Sequence, residues 1–336
     1  MRRSHAVRST AVLSLLAALS ACGGPDPDAA PPEQEDGAPS ADAAPARADG
    51  VEAISFLGEE LRPPELAPAT RENHMARYAE AEEALDAAPE DVDALIWMGR
   101  RTAYLGEYRN AIAIYSHALE LHPDEPRLYR HRGHRYVSVR ELDNAVADFE
   151  RAAALTEGQP DQVEPDGLPN AAGIPTSTLQ FNIWYHLGLA HYLAGDFEAA
   201  AEAYARCADV SVHPDSKVAT AYWRTLTLLR LGRDAEAEAV MAAITPDMEV
   251  IESGGYLDLV LLFKGERTPD DILGAFAEDV TLAGTTATYG VGMWHKLRGD
   301  PQQAEELFRL NLSGDSQWAA FGYIASEAEL AAVGNR

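Results

Sequence analysis

The chain has 336 residues and a net charge of −27, with 27 Lys and Arg residues against 54 Asp and Glu residues. Such an acidic chain is not expected to bind nucleic acid, because affinity for phosphates depends on basic surface. It has only two cysteines, Cys22 and Cys207. We therefore expect apolar packing, rather than a disulfide framework, to hold the fold together.

The first 21 residues have the pattern of a secretory signal. A basic start at 1–8 precedes an apolar stretch at 11–19, which is too short to span a bilayer. The sequence LSAC at 19–22 resembles the lipobox of bacterial lipoproteins. That resemblance implies a lipidated Cys22 and an extracytoplasmic location in the cell envelope, and Gly23 favours the outer over the inner membrane. The alternative is an ordinary signal with Cys22 unmodified.

Residues 22–53 have the composition of a disordered tether. They are rich in Ala, Pro, Asp and Glu and contain almost no large apolar residue. Such a segment cannot bury enough apolar surface to fold. Proline and acidic repulsion also keep it extended. We expect it to hold a folded domain away from the membrane.

Helical repeats follow the tether. Clear copies begin near Asp93, Pro126 and Phe181, and looser copies begin near Val218 and Thr285. Small residues recur in the first half of the clear copies and large ones in the second half. The small residues are Gly99, Gly133 and Gly188, and the large ones are Tyr115, Phe149, Tyr204 and, in the last copy, Phe308. The pattern resembles the tetratricopeptide-repeat (TPR) family, whose units are helical hairpins and whose members are scaffolds that bind other proteins.

The sequence thus predicts an all-α fold, a TPR-like solenoid of helical hairpins with a C-terminal capping helix. A signal peptide and a disordered tether precede it. The predicted segments are the signal (1–21), the tether (22–53), an N-terminal helical half-repeat (54–91), repeats 1 and 2 (92–156), a Pro-rich insert (157–178), repeats 3 and 4 (179–249), a degenerate helical repeat (250–284), a further repeat (285–314) and the capping helix (315–336).

The TPR resemblance implies that the first helix of each unit lines a concave groove. The residues that match the groove positions and could contact a partner are Arg100, Tyr104, Arg127, Arg130, His134, Asn182, Tyr185 and Tyr192. Arginine offers paired donors for carboxylates, and tyrosine offers a large contact area at low entropic cost. We expect the groove to bind a protein or peptide with acidic side chains or a free C-terminal carboxylate.

Residues 127–140 hold five arginines and two histidines without any acid. The insert at 157–178 follows closely and carries Glu157, Asp161, Glu164 and Asp166. Three interpretations stay open at this stage. The patch could bind a partner, pair internally with the insert, or be an unspecialised solvated face.

No enzyme motif stands out, and we expect neither a cofactor nor a bound metal. The sequence lacks HExxH and CxxC motifs and any Gly-rich phosphate loop. Two alternatives to a binding scaffold are weighed. One is a periplasmic holdase that takes unfolded chains in a tyrosine-lined groove. The other, more remote, is a metal-dependent hydrolase using the region of His131 and His134.

Overall fold

Helices account for most of the residues that the computed structural model describes, which are residues 50–274 and 282–334. The predicted signal peptide and the predicted tether before residue 50 lie outside the described residues. The helices are α1 (Pro68–Ala87), α2 (Val92–Tyr104), α3 (Tyr108–Leu121), α4 (Pro126–Ser138), α5 (Leu142–Thr156), α6 (Leu179–Ala194), α7 (Phe197–Val210), α8 (Pro214–Arg230), α9 (Asp234–Ala242), α10 (Gly254–Lys264), α11 (Pro269–Leu273), α12 (Leu282–Leu297), α13 (Pro301–Asn311) and α14 (Phe321–Gly334). Within the described ranges, no helix is long and apolar enough to cross a bilayer.

Consecutive helices pack in pairs, and a close contact between a glycine and an aromatic ring recurs in four of the pairs. A Cβ added to the glycine would lie between 2.4 and 3.0 Å from the ring of the second helix. The contacts are Gly99 to Tyr115, Gly133 to Phe149, Gly188 to Tyr204, and Gly292 to Phe308. Only a residue without a side chain allows this approach. The predicted interlocking of small and large residues, and with it the all-α repeat fold, is confirmed.

The N-terminal part of the described chain differs from the prediction. Strands β1 (Ala53–Ile54) and β2 (Glu60–Leu61) form an antiparallel hairpin, so the predicted half-repeat at 54–91 is helical only from Pro68. Val51 and Ala53 are buried, and the side chain of Glu52 accepts a hydrogen bond of 2.8 Å from the backbone N–H of Arg109. The tether therefore cannot extend to residue 53, because 51–53 belong to the core.

The predicted capping helix is present as α14, but it begins only at Phe321, after a 3-10 helix at Asp315–Gln317. It packs against α12 and α13 and also reaches α6. The two ends of the array meet, since the backbone N–H of Phe56 donates to Oε2 of Glu327 at 3.3 Å. The C-terminal helix thus closes over the repeats in addition to covering the last one.

The insert at 157–178 contains no helix and folds back on itself and on the repeats. A bridge joins Val163 to Thr178, and the N–H of Leu179 donates to the carbonyl of Gln162 at 2.8 Å. At its far side, Thr176 donates to Glu252 at 2.8 Å, next to the start of α10. The insert therefore lies across the helices that precede and follow it.

Candidate functional site

The arginines of the 127–140 patch are mostly engaged within the chain. Four of the five form ion pairs, and the fifth, Arg135, lies with its guanidinium carbon 5.4 Å from the centre of the Tyr108 ring. The pairs are Arg127 with Asp93 and Glu125, Arg130 with Glu164, Arg132 with Asp148, and Arg140 with Glu327. Of the three interpretations, internal pairing with the insert holds for Arg130, whereas the other three arginines pair with acids outside the insert.

Glu164 of the insert is the carboxylate that fills the centre of the patch. Nη2 of Arg130 lies 2.9 Å from Oε1 of Glu164, and both side chains are at most 9% exposed. Nδ2 of Asn182 donates to Oε2 of the same carboxylate at 3.1 Å. Burial lowers the pKa of Arg130, and the charge of Glu164 acts against that shift. Arg130 and Asn182 are thus occupied by the chain itself and are not open to a partner.

The tyrosines predicted to line the groove are also covered. The hydroxyl of Tyr185 accepts from Nε1 of Trp223 at 2.8 Å, and the hydroxyl oxygens of Tyr192 and Tyr289 lie 2.7 Å apart. Both predicted tyrosines are buried. The prediction of an open groove is therefore wrong at Arg130, Asn182, Tyr185 and Tyr192. Helices α8, α10, α12 and α14 pack over this face and cover the two tyrosines.

Histidines of the same face are held neutral. The rings of His134 and His186 lie with centroids 4.5 Å apart, and Phe321 of α14 lies 5.5 Å from His134. Burial, followed by nearby arginine charges, lowers the pKa of His131, His134 and His186 well below its ordinary value. What is left of the groove beside His134 is a cavity of about 500 Å³. Within the described part of the chain, no three metal-ligating side chains are grouped closely enough to hold a metal.

Arginines without carboxylate partners lie instead at the start of the array. Arg77 of α1 and Trp97, Arg100, Arg101 and Tyr104 of α2 form what we term the arginine–aromatic surface. The guanidinium carbons of Arg100 and Arg101 lie 4.5 and 4.6 Å from the centroid of the Trp97 ring. None of the three arginines has a carboxylate oxygen of the described residues within 4.0 Å. All five residues are partly exposed.

Electrostatics place Arg77 in the same cluster. His74 of α1 packs against α2, with its ring centroid 5.8 Å from that of Tyr104. Burial lowers the pKa of His74, and the charges of Arg101 and then Arg77 lower it further. A histidine whose pKa is lowered by two arginine charges lies in a region of positive potential. Such a region is unusual in a chain of net charge −27.

The insert forms one edge of the arginine–aromatic surface. Nη1 of Arg100 donates to the carbonyl of Pro165 at 2.8 Å, and Nη1 of Arg101 donates to the carbonyl of Gly167 at 2.9 Å. The next residue, Leu168, is 57% exposed although it is apolar. An exposed leucine beside arginines that form no ion pair with the described residues is a combination suited to a protein interface, where aromatic and arginine residues are enriched.

Sequence reasoning identified two of these five residues, Arg100 and Tyr104, and missed Arg77, Trp97 and Arg101. A signal was available, because Trp97 is followed three and four residues later by Arg100 and Arg101, one turn away on the same helix. The prediction of groove residues followed the TPR pattern, which takes about one residue per turn of the first helix. Trp97 and Arg101 do not match those positions and were therefore not predicted.

One segment of the chain matches a known repeat family. The family model described as tetratricopeptide repeat matches residues 181–211, which form α6 and α7. A crystal structure of YrrB, described as a TPR protein with an unusual peptide-binding site, is 17% identical, with a TM-score of 0.40 over 69% of this chain and 91% of that chain. The TPR domain of P58(IPK) is 12% identical, with a TM-score of 0.21 over 77% of this chain and 94% of that one. No curated protein matches the sequence. The chain thus contains a segment at 181–211 that matches a tetratricopeptide repeat, with paired helices on both sides of it.

Proposed function

We propose that this protein is a lipid-anchored TPR scaffold of the bacterial cell envelope, extracytoplasmic and at the outer rather than the inner membrane. It binds an acidic segment or a free carboxyl terminus of another protein. The binding site is the arginine–aromatic surface of α1 and α2, with the edge of the insert beside it. No catalytic step is part of this function.

The observation that carries the proposal is that, among the described residues, no carboxylate pairs with Arg77, Arg100 or Arg101. The chain has twice as many acids as bases, and 11 of the 19 arginines in the described residues form ion pairs. Asp166 of the insert reduces the positive field, and the charge of Arg100 acts on its pKa, but the two side chains form no ion pair. Each of the three guanidinium groups donates a hydrogen bond to an uncharged oxygen of the chain, and its charge is left for the carboxylates of a partner.

The geometry fits recognition by arginines that are positioned before the partner binds. Trp97 contacts the guanidinium groups of Arg100 and Arg101 through cation–π interactions, which are worth about 0.5–1 kcal/mol at exposed sites. A pre-positioned guanidinium loses less entropy when it forms two parallel hydrogen bonds to a carboxylate. Each charge-assisted hydrogen bond contributes about 1.5–3 kcal/mol. Leu168 supplies apolar area at the edge of the same surface.

The anchor rests on the N-terminal sequence. A basic start, a short apolar stretch and the lipobox-like LSAC at 19–22 favour lipidation of Cys22. We expect Cys22→Ser to move the protein from the membrane fraction to the soluble extracytoplasmic fraction and to remove a palmitate label. A variant that stays membrane-bound and labelled would rule out this anchor.

A general holdase for unfolded chains is not favoured. Such an activity needs an open apolar groove, and the tyrosines predicted to line it are buried against α8 and α12.

The binding site is tested by affinity capture from membrane extracts with Arg100→Gln/Arg101→Gln as bait. The matched control is Arg206→Gln/Arg298→Gln, since those arginines also lie over tryptophan rings and lack carboxylate partners in the described residues. Each bait must have the wild-type melting temperature. A protein captured by the wild type and the control, but lost with the first variant, supports the proposal. Equal capture by both variants would contradict it.

A further inference from the structure

A second cleft lies far along the array, between α8 and α9, and no residue of the arginine–aromatic surface lines it. Its volume is about 460 Å³, within the range of small-molecule sites. One face of α8 forms one wall and one face of α9 forms the other. The α8 residues are Lys217, Thr220, Ala221 and Arg224, and the α9 residues are Glu236, Ala239, Val240 and its extension Ala243.

The cleft is apolar inside because its interior is built from small and aliphatic side chains. Ala208 comes from α7, and Ile244 and Met248 come from the segment after α9. The hydroxyls of Ser211 and Thr220 also border it, but they bond to each other at 3.0 Å. The interior therefore offers apolar contact and few unpaired hydrogen-bonding groups.

The cleft exists because α9 is short and rich in alanine. In four other helix pairs the second helix places an aromatic ring against a glycine of the first, whereas the residues at the corresponding positions here are Thr225 and Met241. The chain that follows α9 is fixed in place by Asp215. Its carboxylate accepts hydrogen bonds from the backbone N–H groups of Ile251, Glu252 and Ser253, at distances of 2.6 to 3.1 Å. These hydrogen bonds fix the segment that carries Met248, so this wall of the cleft is formed before any ligand binds.

Two cations line this cleft without acidic partners. Within the described residues, neither Lys217 nor Arg224 has a carboxylate within 4.0 Å, and the buried Nε of Arg224 makes no hydrogen bond. Glu236 lines the same cleft, but its carboxylate is bound by Arg233 through two hydrogen bonds of 2.6 Å. Lys217 and Arg224 lie seven residues apart on one face of α8, so both long side chains can contact one anionic group.

We infer that this cleft binds an amphipathic monocarboxylate, with its carboxylate on Lys217 and Arg224 and its hydrocarbon chain against the alanines of α9. The charge argument selects an anion, because neither Lys217 nor Arg224 has a carboxylate of the described residues within 4.0 Å. The lining selects an apolar body, because a hydrocarbon chain that covers the alanine and methionine side chains removes their apolar surface from water. Medium-chain fatty acids have this chemistry. The inference does not depend on the proposed partner site on α1 and α2.

The test is calorimetric titration of the full chain with decanoate, below its micelle concentration and at neutral pH. Decanol and acetate serve as probes that lack the charge or the chain. We expect one site for decanoate and binding weaker by about tenfold or more for either other probe. Decanol loses a charge-assisted hydrogen bond, which is worth about that factor, and acetate loses the apolar contacts of the hydrocarbon chain.

Two variants locate the site. Lys217→Gln/Arg224→Gln should weaken decanoate binding by about tenfold or more. Ala239→Phe, which fills the cleft from an exposed position, should do the same without a change of charge. The control Arg71→Gln/Arg298→Gln removes two arginine charges elsewhere and should bind like the wild type. The inference is overturned if decanoate does not bind, if decanol binds equally well, or if neither cleft variant weakens binding.

Discussion

Arg140 joins the second repeat to the C-terminal helix, and its replacement tests how the array is closed. Its side chain and that of Glu327 are 3% and 1% exposed, with Nη2 lying 2.7 Å from Oε1 of Glu327. Nη2 also donates to the carbonyl of Trp318 at 2.7 Å. Removal of one member of a buried pair costs about 3–5 kcal/mol, because the other charge is left without a partner. We expect Arg140→Ala to lower the free energy of unfolding by this amount.

The backbone at Arg140 provides an internal control. Its φ is 66°, the only positive φ of a non-glycine residue in the described chain, and the corresponding turn of the next repeat has Gly195. The left-handed conformation costs a non-glycine residue about 1–2 kcal/mol, which glycine avoids. The greater conformational freedom of glycine in the unfolded chain offsets about 0.5–1 kcal/mol of this gain. Arg140→Gly should therefore be less destabilising than Arg140→Ala, by about 1 kcal/mol.

The assay is urea unfolding of the wild type and both variants, followed by circular dichroism at neutral pH. A loss below about 1 kcal/mol for Arg140→Ala would refute the reasoning, since it would mean that the charge of Glu327 does not need its partner. A glycine variant that is less stable than the alanine variant would refute the strain argument.

Three further outcomes are expected. Gly188→Leu should destabilise by about 1–3 kcal/mol or more through overpacking, since even a Cβ there would lie 2.8 Å from the Tyr204 ring; an unchanged melting temperature would contradict the packing. Glu164→Ala should cost about 3–5 kcal/mol by leaving Arg130 buried and unpaired, while the exposed Glu157→Ala should be near neutral in the same urea assay. Burial lowers the pKa of three histidines in the folded state, so the unfolded chain binds protons at a higher pH than the folded chain does. The free energy of unfolding should therefore be highest above about pH 6.5 and should fall as the pH drops below that value, by at most about 1.4 kcal/mol per pH unit for each histidine. Stability that is flat from about pH 7 to 5.5 would contradict this. The histidines are His131, His134 and His186.

The repeats were predictable because their physics is local. A glycine and an aromatic ring at a fixed spacing must meet when two adjacent helices pair, as Gly133 and Phe149 do. The closure of the array was not predictable in this way. The contact of Arg140 with Glu327 joins residues 187 positions apart, and no periodic pattern links them.

The predicted groove fails for a related reason. A repeat template assigns Tyr185 and Tyr192 to the concave side, and they do lie on one face of α6. Whether that face is open depends on helices that come later in the chain. Here the hydroxyl of Tyr192 meets Tyr289, and Phe321 lies within 6.5 Å of the Tyr185 ring. Burial of the groove is thus a property of the whole array and not of any single repeat.

The insert shows the value and the limit of composition. Its four acids beside a basic patch suggested internal pairing, and Glu164 does pair with Arg130. The sequence could not tell which acid would enter, because the insert has no periodicity that would orient its side chains. For the same reason the sequence did not predict that Leu168 would be exposed beside Arg101, at the edge of the arginine–aromatic surface.

The central claim is that another protein docks on the arginine–aromatic surface, and site-specific photocrosslinking in the intact envelope tests it most directly. A photoreactive residue is placed at Leu168, which is 57% exposed beside that surface, and at Leu310 of α13, which is 59% exposed, as the matched control. We expect a crosslinked protein at Leu168 that is absent at Leu310 and is lost when Arg100→Gln/Arg101→Gln is added. No crosslink at Leu168, or one that is equal at both positions and unaffected by the arginine changes, would contradict the account.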